Sequence, residues 1–600
     1  MKLTDFVADF LANQGIKHVF GLTGGAAVHI FDSIEKHPYI KPIFNHHEQA
    51  ASFAAEAYSR ITKNLGAVVV TTGPGGSNTI TGVLAAYLDS IPCIYISGQS
   101  RLEQTSRKKP VRQIGTQEFD IISLVTNITK YAVMIEDPKK IKYHLQKAIY
   151  LSKIGRPGPV WIDIPLDMQW VDIQPNTLEE FYPDIAKPKI SLEKNLKISI
   201  KQCFELIQQA KRPLIMAGNG IRLSHAEKEF EELILKLKVP FVSSWNTRDL
   251  LPTSNILYAG LIGVAGQRGG NLAIQNCDLL LSIGSHLCIG LTGTNFNAFA
   301  REAKKIMIDI DHIELENSNV KVDLKIHCDA KLFITELVKL STNNQLNINF
   351  WREKCLRYKS YNAIPKEWWN QKQFVNPYVF IDFLSDQLSS NDVIVVDGGG
   401  TALYMSFQAL KIKEGQRLIV SSAIASMGTG VSESIGACFA NKCIRTICMT
   451  GDGSIQLNIQ ELQTIVHHNL PIKIFVFNNQ GYLAIRHTQD GFLNSKYIGS
   501  SSNGGVSLPN FQKVGNAYGI KTIKINNNNE LKDKIKYILE NKEPMLCEIM
   551  INPDQQLIPR QGFYKKKDGT SVGKALEDMD PPLDHEEFLD NMIVKPYVYE

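Results

Sequence analysis

Thr450-Gly-Asp-Gly-Ser454 and Phe477-Asn-Asn-Gln-Gly481 decide how this chain is read. The first segment continues the apolar run Ile444-Arg-Thr-Ile-Cys-Met449. The second closes Ile472-Lys-Ile-Phe-Val-Phe477, and a helix-like stretch lies between them. Asp452 and Asn479 therefore stand at the carboxyl ends of two strands, and in an open α/β sheet those ends converge on the ligand crevice. A carboxylate from Asp452, an amide oxygen from Asn479 and a backbone carbonyl at Gly481 can meet at one point. Mg²⁺ asks for that arrangement: few protein oxygens, octahedral geometry and phosphate oxygens to complete the shell. A lone Gly-Asp-Gly is usually a surface turn; placed between two apolar strands it reads as a metal-and-phosphate anchor.

The same pattern of strand, glycine turn and helix extends outward in both directions. His18-Val-Phe-Gly21 leads into Gly24-Gly25, Ala67-Val-Val-Val-Thr-Thr72 into Gly73-Pro-Gly-Gly-Ser77, and Cys93-Ile-Tyr-Ile-Ser97 into Gly98-Gln99. Apolar strands alternating with helices predict parallel sheets covered on both faces. The fold class is α/β, with three consecutive doubly wound parallel-sheet domains over residues 1–175, 190–342 and 375–550. Pro183 to Lys194 reads as a charged linker. Residues 551–600 lose periodicity and read as a tail, either a lid or a disordered end.

Bulk composition narrows the function classes. Six hundred residues exceed one hydrophobic core. A net charge of +5, with basic residues spread along the chain, gives no argument for nucleic acid. No apolar run approaches the length of a membrane span, and the start of the chain reads as an amphipathic helix with no secretory signal. Ten cysteines without metal-ligand spacing suggest reduced, buried thiols in a cytoplasmic protein.

The 450–481 segment resembles the diphosphate-anchoring motif of thiamine diphosphate enzymes. Such chemistry needs an anchored diphosphate, an activated aminopyrimidine and two rings forced together. Asp397-Gly398-Gly399-Gly400-Thr401 offers backbone N–H groups and a helix N-terminus for the diphosphate. Gly453 and Ser454 add to it, Ser454 as a possible phosphate donor. Glu48, at the start of the Ala-rich stretch after His46-His47, is the candidate for activating the pyrimidine, since burial lets a carboxyl keep a proton to share. The plainer reading is a helix N-terminal acid stabilised by the macrodipole. Glu56 ranks below it because it lies two turns inside the helix. Met427, flanked by small residues, would wedge the rings, and Ala425 C=O with Met427 N–H could bond the pyrimidine edge.

Taken whole, residues 1 to about 550 resemble the acetolactate synthase-like thiamine diphosphate enzymes, within the superfamily of acetohydroxyacid synthase and pyruvate decarboxylase. The likeness rests on Val19-Phe-Gly21, His47-Glu48-Gln49, Thr72-Gly-Pro-Gly-Gly-Ser77, Gly155-Arg-Pro-Gly-Pro159, Asp163-Ile-Pro165, Met427-Gly428 and the Asp452/Asn479 pair. It implies a pyrimidine-binding domain, a central Rossmann-like domain and a diphosphate-binding domain. It also implies thiamine diphosphate and Mg²⁺ as cofactors, and a homodimer or homotetramer whose active sites take Glu48 from one subunit and Asp452 from another. Metal ligands would be Asp452, Asn479 and Gly481. Cofactor contacts would include Gly24, Gly73, Asn78 and Tyr482 besides those above.

The implied reaction takes a 2-oxo acid donor, removes CO₂ and transfers the acyl unit to a carbonyl acceptor. Gln99 and Gln117 are implied catalytic positions, Glu118 lies by the acceptor pocket, and Lys130 stands at the substrate entrance. Two departures bear on the substrate. Thr116 stands where acetolactate synthases usually carry Phe, and Gly284-Ser-His-Leu-Cys-Ile-Gly290 stands where they carry an Arg-Phe-Asp-Asp-Arg run. FAD is therefore left open, with Arg268 as the residue that could serve a nucleotide. The acceptor is a second 2-oxo acid or a bulkier keto-sugar. The rival readings are a 2-oxo acid decarboxylase or C–C hydrolase, and a non-catalytic regulator on the same fold.

Overall fold

The computed structural model describes residues 1–183, 194–342 and 346–599. The linker expected between Pro183 and Lys194 lies outside them, its two end residues excepted. Each apolar run quoted above is a strand, and the strands pair parallel into three six-stranded sheets. The first comprises β1 (His18–Gly21), β2 (Lys41–Phe44), β3 (Gly66–Val70), β4 (Cys93–Gln99), β5 (Tyr131–Met134) and β6 (Val160–Pro165). The second comprises β7 (Pro213–Ala217), β8 (Phe241–Ser243), β9 (Tyr258–Leu261), β10 (Leu279–Ile283), β11 (Lys304–Asp309) and β12 (Leu324–His327). The third comprises β13 (Val393–Val396), β14 (Arg417–Ile419), β15 (Thr446–Gly451), β16 (Ile472–Asn478), β17 (Lys521–Ile525) and β18 (Met545–Met550). Central strands such as β3, β4 and β16 are buried along their whole length, which explains their near-continuous apolar sequence.

Strand order separates the sheets into two kinds. The first runs β2-β1-β3-β4-β6-β5 and the third β14-β13-β15-β16-β18-β17, the same order in the same sequence of connections. The second runs β12-β11-β10-β7-β8-β9, the Rossmann order. The α/β class and three parallel-sheet architecture expected from the sequence are what the chain adopts. By compactness it divides into two units: Met1–Ile185 with Asn391–Leu403 and Arg417–Pro553, and Ala186–Ser390 with Tyr404–Gln416 and Asp554–Glu600. The first and third sheets thus share a unit.

The tail, expected as a lid or a disordered end, is folded into the unit of the central sheet. Short antiparallel pairs join β19 (Arg560–Gln561) to β22 (Met579–Asp580) and β20 (Phe563–Lys565) to β21 (Ser571–Gly573). Gln561 N–H donates to Val264 O at 2.7 Å, Arg301 meets the buried Glu577 at 2.8 Å, and Tyr358 donates to Asn591 O. Polar pairs and a few buried apolar side chains, Leu576, Met579 and Val594 among them, order this segment without a regular hydrophobic period.

In the other unit, the helix Glu48–Thr62 crosses the helix Thr429–Ala440. They touch backbone to backbone: a Cβ on Gly436 would lie 1.8 Å from Ala54 O. Ala57 and Ala437 share the apolar cluster beneath, with Val393, Val395 and Ile419. The crossing also encloses charge. Arg60 Nη2 reaches Glu56 at 2.6 Å and Asp89 at 2.7 Å, while both carboxyl oxygens of the fully buried Glu433 lack a partner. Burial pushes the Glu56 carboxyl up to about 7 and Glu433 well above its ordinary value. Glu56 is thereby an interior ion-pair partner.

Gly436→Ala should force the helices apart and destabilise this unit by about 1–3 kcal/mol, the usual cost of overpacking. A denaturant midpoint equal to that of the wild type would show that the close approach is dispensable.

Candidate functional site

The third sheet brings Asp452, Asn479 and Gly481 together. β15 and β16 pair in register through Gly451 and Phe477, so the turns leaving them lie side by side. The Asp452 carboxylate accepts from the N–H groups of Gly453 at 2.7 Å, Asn479 at 2.9 Å and Gly481 at 3.1 Å. Burial nevertheless pushes its carboxyl up to about 7, those N–H groups opposing the shift. The Asn479 amide donates weakly to Thr401 Oγ1 at 3.4 Å, but its buried Oδ1 has no partner. An unpaired buried acceptor beside a buried carboxylate is the donor set a hard cation takes. Among the described residues no group of His, Cys, Asp and Glu side chains is placed to hold a metal ion. A cation here would thus draw on the amide, the carboxylate, a backbone carbonyl and a ligand's oxygens.

Arg486 holds the 479–481 turn in place, and the sequence reading missed it. Its guanidinium donates to the carbonyls of Asn479 at 2.9 Å, Gln480 at 3.3 Å and Pro553 at 2.7 Å. Gln480 sits at φ 62° and Gly481 at φ 140°; a Cβ on Gly481 would lie 2.3 Å from Ser500 O. The ring of Tyr482 packs so closely on Gly453 that a Cβ there would lie 2.2 Å from it.

Next to this turn, Asp397 joins three candidate segments. One oxygen accepts from Gly399 N–H at 3.1 Å and Ser454 Oγ at 2.6 Å. The other accepts from Gly430 N–H at 3.1 Å and Thr450 Oγ1 at 2.8 Å. Ser454, expected as a phosphate donor, therefore gives its hydroxyl hydrogen to Asp397 and accepts from Gly428 N–H. Gly398 N–H donates to Thr429 Oγ1 at 2.8 Å, and a Cβ on Gly399 would lie 2.6 Å from Met427 Cγ. Gly400 stands open at φ 78° and begins the helix Gly400–Ala409, whose N-terminal turn includes Thr401. That open helix start suits a phosphate. Met427 is half-buried, and Ala425 is held at φ 50°, a conformation a non-glycine residue adopts only under constraint.

The first sheet supplies the second group. Glu48 opens its helix, is 5% exposed, and accepts from Asn78 Nδ2 at 3.0 Å. The residues on either side of it reach the third sheet's half. His47 Nδ1 lies 3.2 Å from Asn458 Oδ1, and Asn458 Nδ2 donates to Gln49 Oε1 at 3.1 Å and Gly428 O at 2.8 Å. Glu461 receives Asn45 Nδ2 and His46 N–H, each at 2.9 Å. Asn458 and Glu461, unremarked in the sequence reading, thus hold the start of the Glu48 helix. Gly24 packs on the Thr71 side chain, whose hydroxyl receives Ala26 N–H at 3.2 Å.

Gln99 is 1% exposed and its amide is fully engaged. Oε1 accepts from Thr72 Oγ1 at 2.7 Å and Ser100 N–H at 2.9 Å, while Nε2 donates to Phe119 O at 3.0 Å and Asp163 at 3.1 Å. Asp163, buried and bonded also by Ser97, is pushed up to about 7 by burial. Gln117 is exposed at φ 66°, its backbone against Gly73, where a Cβ would lie 2.7 Å from Gln117 O. Glu118 pins the loop by accepting from Ser106 N–H, Ser106 Oγ and Ile114 N–H. Lys130, expected at a substrate entrance, donates to the carbonyls of Ile154 at 2.5 Å and Arg156 at 2.7 Å and closes that loop.

The chain matches three family models in series. They are the thiamine pyrophosphate enzyme N-terminal TPP binding domain over residues 1–124, the central domain over 200–337, and the C-terminal TPP binding domain over 397–549. It is 33% identical to the acetolactate synthase large subunit of Cyanidium caldarium, covering 92% of this chain and 93% of that protein. It is 32% identical to a probable acetolactate synthase large subunit of Methanocaldococcus jannaschii, with 93% of each chain covered. It is 31% identical to the acetolactate synthase large subunit of Lactococcus lactis, again with 93% of each covered.

Because Asn479 Oδ1 is buried without a partner, Asn479→Leu should leave the melting midpoint of the ligand-free protein unchanged or raise it. A fall of several degrees would mean that the oxygen is satisfied within the chain.

Proposed function

We propose a donor, an acceptor and a site for this chain, which belongs to the thiamine pyrophosphate enzymes. It is a thiamine diphosphate-dependent carboligase of the acetolactate synthase type. The proposed donor is pyruvate, because acetolactate, the product in the relatives' name, is an acetyl unit joined to a second pyruvate. The observation that carries the reading is the unpartnered Asn479 oxygen beside the buried Asp452 carboxyl at the open start of the Gly400 helix.

When bound, thiamine diphosphate supplies an acidic carbon that adds to a carbonyl and carries the charge left by loss of CO₂. In the proposed site Asp452, Asn479 and the Gly481 carbonyl hold Mg²⁺. The open backbone at Gly400 and the helix start at Thr401 would receive the diphosphate, the N–H groups of Gly398 and Gly399 being held by Thr429 and Asp397. Met427 supports the rings, and Arg486 keeps the metal turn rigid. Glu48 would be the carboxyl that bonds the pyrimidine nitrogen, with Asn78 donating to it at 3.0 Å to fix its orientation. Gln99, with Thr72 and Asp163, sets the floor beneath the substrate as a positioning residue, and Gln117 lies at its exposed rim.

Two copies would build each site, Glu48 from one and Asp452 from the other. Exposed apolar side chains beside the candidate groups support this: Phe44 before the Glu48 helix, Leu457 after the metal turn, and Ile485, Phe492 and Ile498 beyond Tyr482. The acceptor is a second 2-oxo acid or a keto-sugar; the exposed Thr116 favours the bulkier, more polar compound. FAD is neither required by this reaction nor supported by Arg268, whose guanidinium donates to Pro581 O at 2.6 Å. No helix among the described residues is long and apolar enough to cross a membrane, and ten free thiols suit the reducing cytoplasm in which we place the reaction.

With thiamine diphosphate and Mg²⁺, the protein should release CO₂ from pyruvate and form a carboligation product with one of the acceptors. Acetaldehyde as the sole product would favour the decarboxylase reading. Glu48→Gln should bind the cofactor and lose turnover by orders of magnitude, and Asp452→Ala should lose Mg²⁺-dependent cofactor binding in calorimetry. Mixing these two inactive variants should restore activity if sites are shared between copies; no recovery after subunit exchange would place each site within one chain.

A further inference from the structure

The helix Thr429–Ala440 ends in a turn that sets two cysteines side by side. Asn441 is its C-cap, Lys442 follows at φ 55°, and Cys443 N–H donates to Cys438 O at 2.7 Å. A bond from the second residue past the cap to the third-last helical residue is the Schellman closure, which brings the side chains at those two positions into contact. Ordinarily that contact is apolar. Here both side chains are thiols, and Cys438 Sγ lies 4.0 Å from the carbonyl of Ile444, the residue after Cys443. Cys443 itself sits at φ 53° and Ile444 N–H returns to Asn441 O at 3.1 Å, so the turn is held at both ends. Of the ten cysteines, all among the described residues, Cys443 alone is exposed, and Cys438 is fully buried.

We infer that Cys438 and Cys443 form a reversible modification site for low-molecular-weight disulfides, with Cys443 as the attacking and Cys438 as the resolving thiol. The exposed sulfur meets the reagent and the buried one stands directly behind it. The thiolate of Cys443 attacks one sulfur of R–S–S–R, breaking its S–S bond, expelling RS⁻ and leaving a mixed disulfide on Cys443. The Cys438 thiol then gives its proton to solvent and attacks the Cys443 sulfur. This closes the Cys438–Cys443 bond and expels the second RS⁻. Two protein thiols are oxidised, and one small disulfide is reduced to two thiols.

The electrostatics fit this division of labour. The Cys438 hydrogen bond brings the Cys443 thiol down to about 7 against the opposing effect of burial, while that bond and burial raise Cys438. The attacking group is therefore ionised near neutral pH, where exchange through thiolate is fastest. A bond there would clamp the end of the helix Thr429–Ala440, which crosses Glu48–Thr62 at Gly436. The proposal is independent of the reading of the cofactor site.

The test treats the reduced full-length protein with glutathione disulfide and maps its cysteines by mass spectrometry. Cys438 and Cys443 should become linked several-fold faster than the half-buried Cys288 is modified, and dithiothreitol should reverse the link. The rate should climb as pH rises through about 7. Cys438→Ser should stop at a persistent glutathione adduct on Cys443, and Cys443→Ser should leave Cys438 unmodified. Modification of Cys443 no faster than that of Cys288 would overturn the proposal. So would an adduct in Cys438→Ser no longer-lived than in the wild type.

Discussion

The contact on which the candidate site depends is the crossing of the helices Glu48–Thr62 and Thr429–Ala440 at Gly436. It is tight enough that the main chain of one meets the main chain of the other. Close packing at that point fixes where each helix begins, and both beginnings carry chemistry: Glu48 on one, Met427 and Gly428 before the other. Asn458 then ties the two starts together, bonding Gln49 on one side and the Gly428 carbonyl on the other. The same crossing forces Glu56, Arg60, Asp89 and Glu433 into the interior. One guanidinium there serves two carboxylates directly, while burial and the neighbouring acids push the third, Glu433, well above its ordinary value against the pull of Arg60.

The first and third sheets share one strand order, and each presents its glycine-rich turns at the carboxyl ends of its strands. Division of labour follows from what each edge holds. The third sheet's edge gathers oxygens and N–H groups suited to a metal and phosphates. The first sheet's edge gathers Glu48 and, around Gln99, an amide network with Asp163 that has no spare donor. Neither edge alone contains both the anchor and the acid. Two sheets of common topology with complementary edges are the minimum this chemistry needs, and the Rossmann-ordered second sheet lies in a different unit.

Strands and their parallel pairing were legible because they are buried on both faces and therefore apolar without interruption. The side-by-side placement of the Asp452 and Asn479 turns was legible because each closes an apolar strand and the two strands pair in register. What the sequence hid was support. Arg486, Asn458 and Glu461 act through backbone carbonyls and amides that no residue pattern displays. The intrachain partners of Ser454 and Lys130 were hidden for a related reason: a hydroxyl or ammonium is as readily engaged by the fold, here by Asp397 and by the 154–156 carbonyls. The tail escaped because its order comes from contacts between residues far apart in the chain, such as Arg301 with Glu577 and Leu576 with the central core.

The unpaired oxygen of Asn479 reaches beyond chemistry to abundance. If the proposed cation and phosphate bind there, a protein that folds with this buried acceptor unpaired and a carboxyl held away from water would gain stability on binding them. Ligand that binds only the folded form adds stability with the logarithm of its concentration. In a cell short of that ligand, more of the chain would therefore visit the unfolded state, where proteases act, and the standing amount of enzyme would fall with the supply of its cofactor.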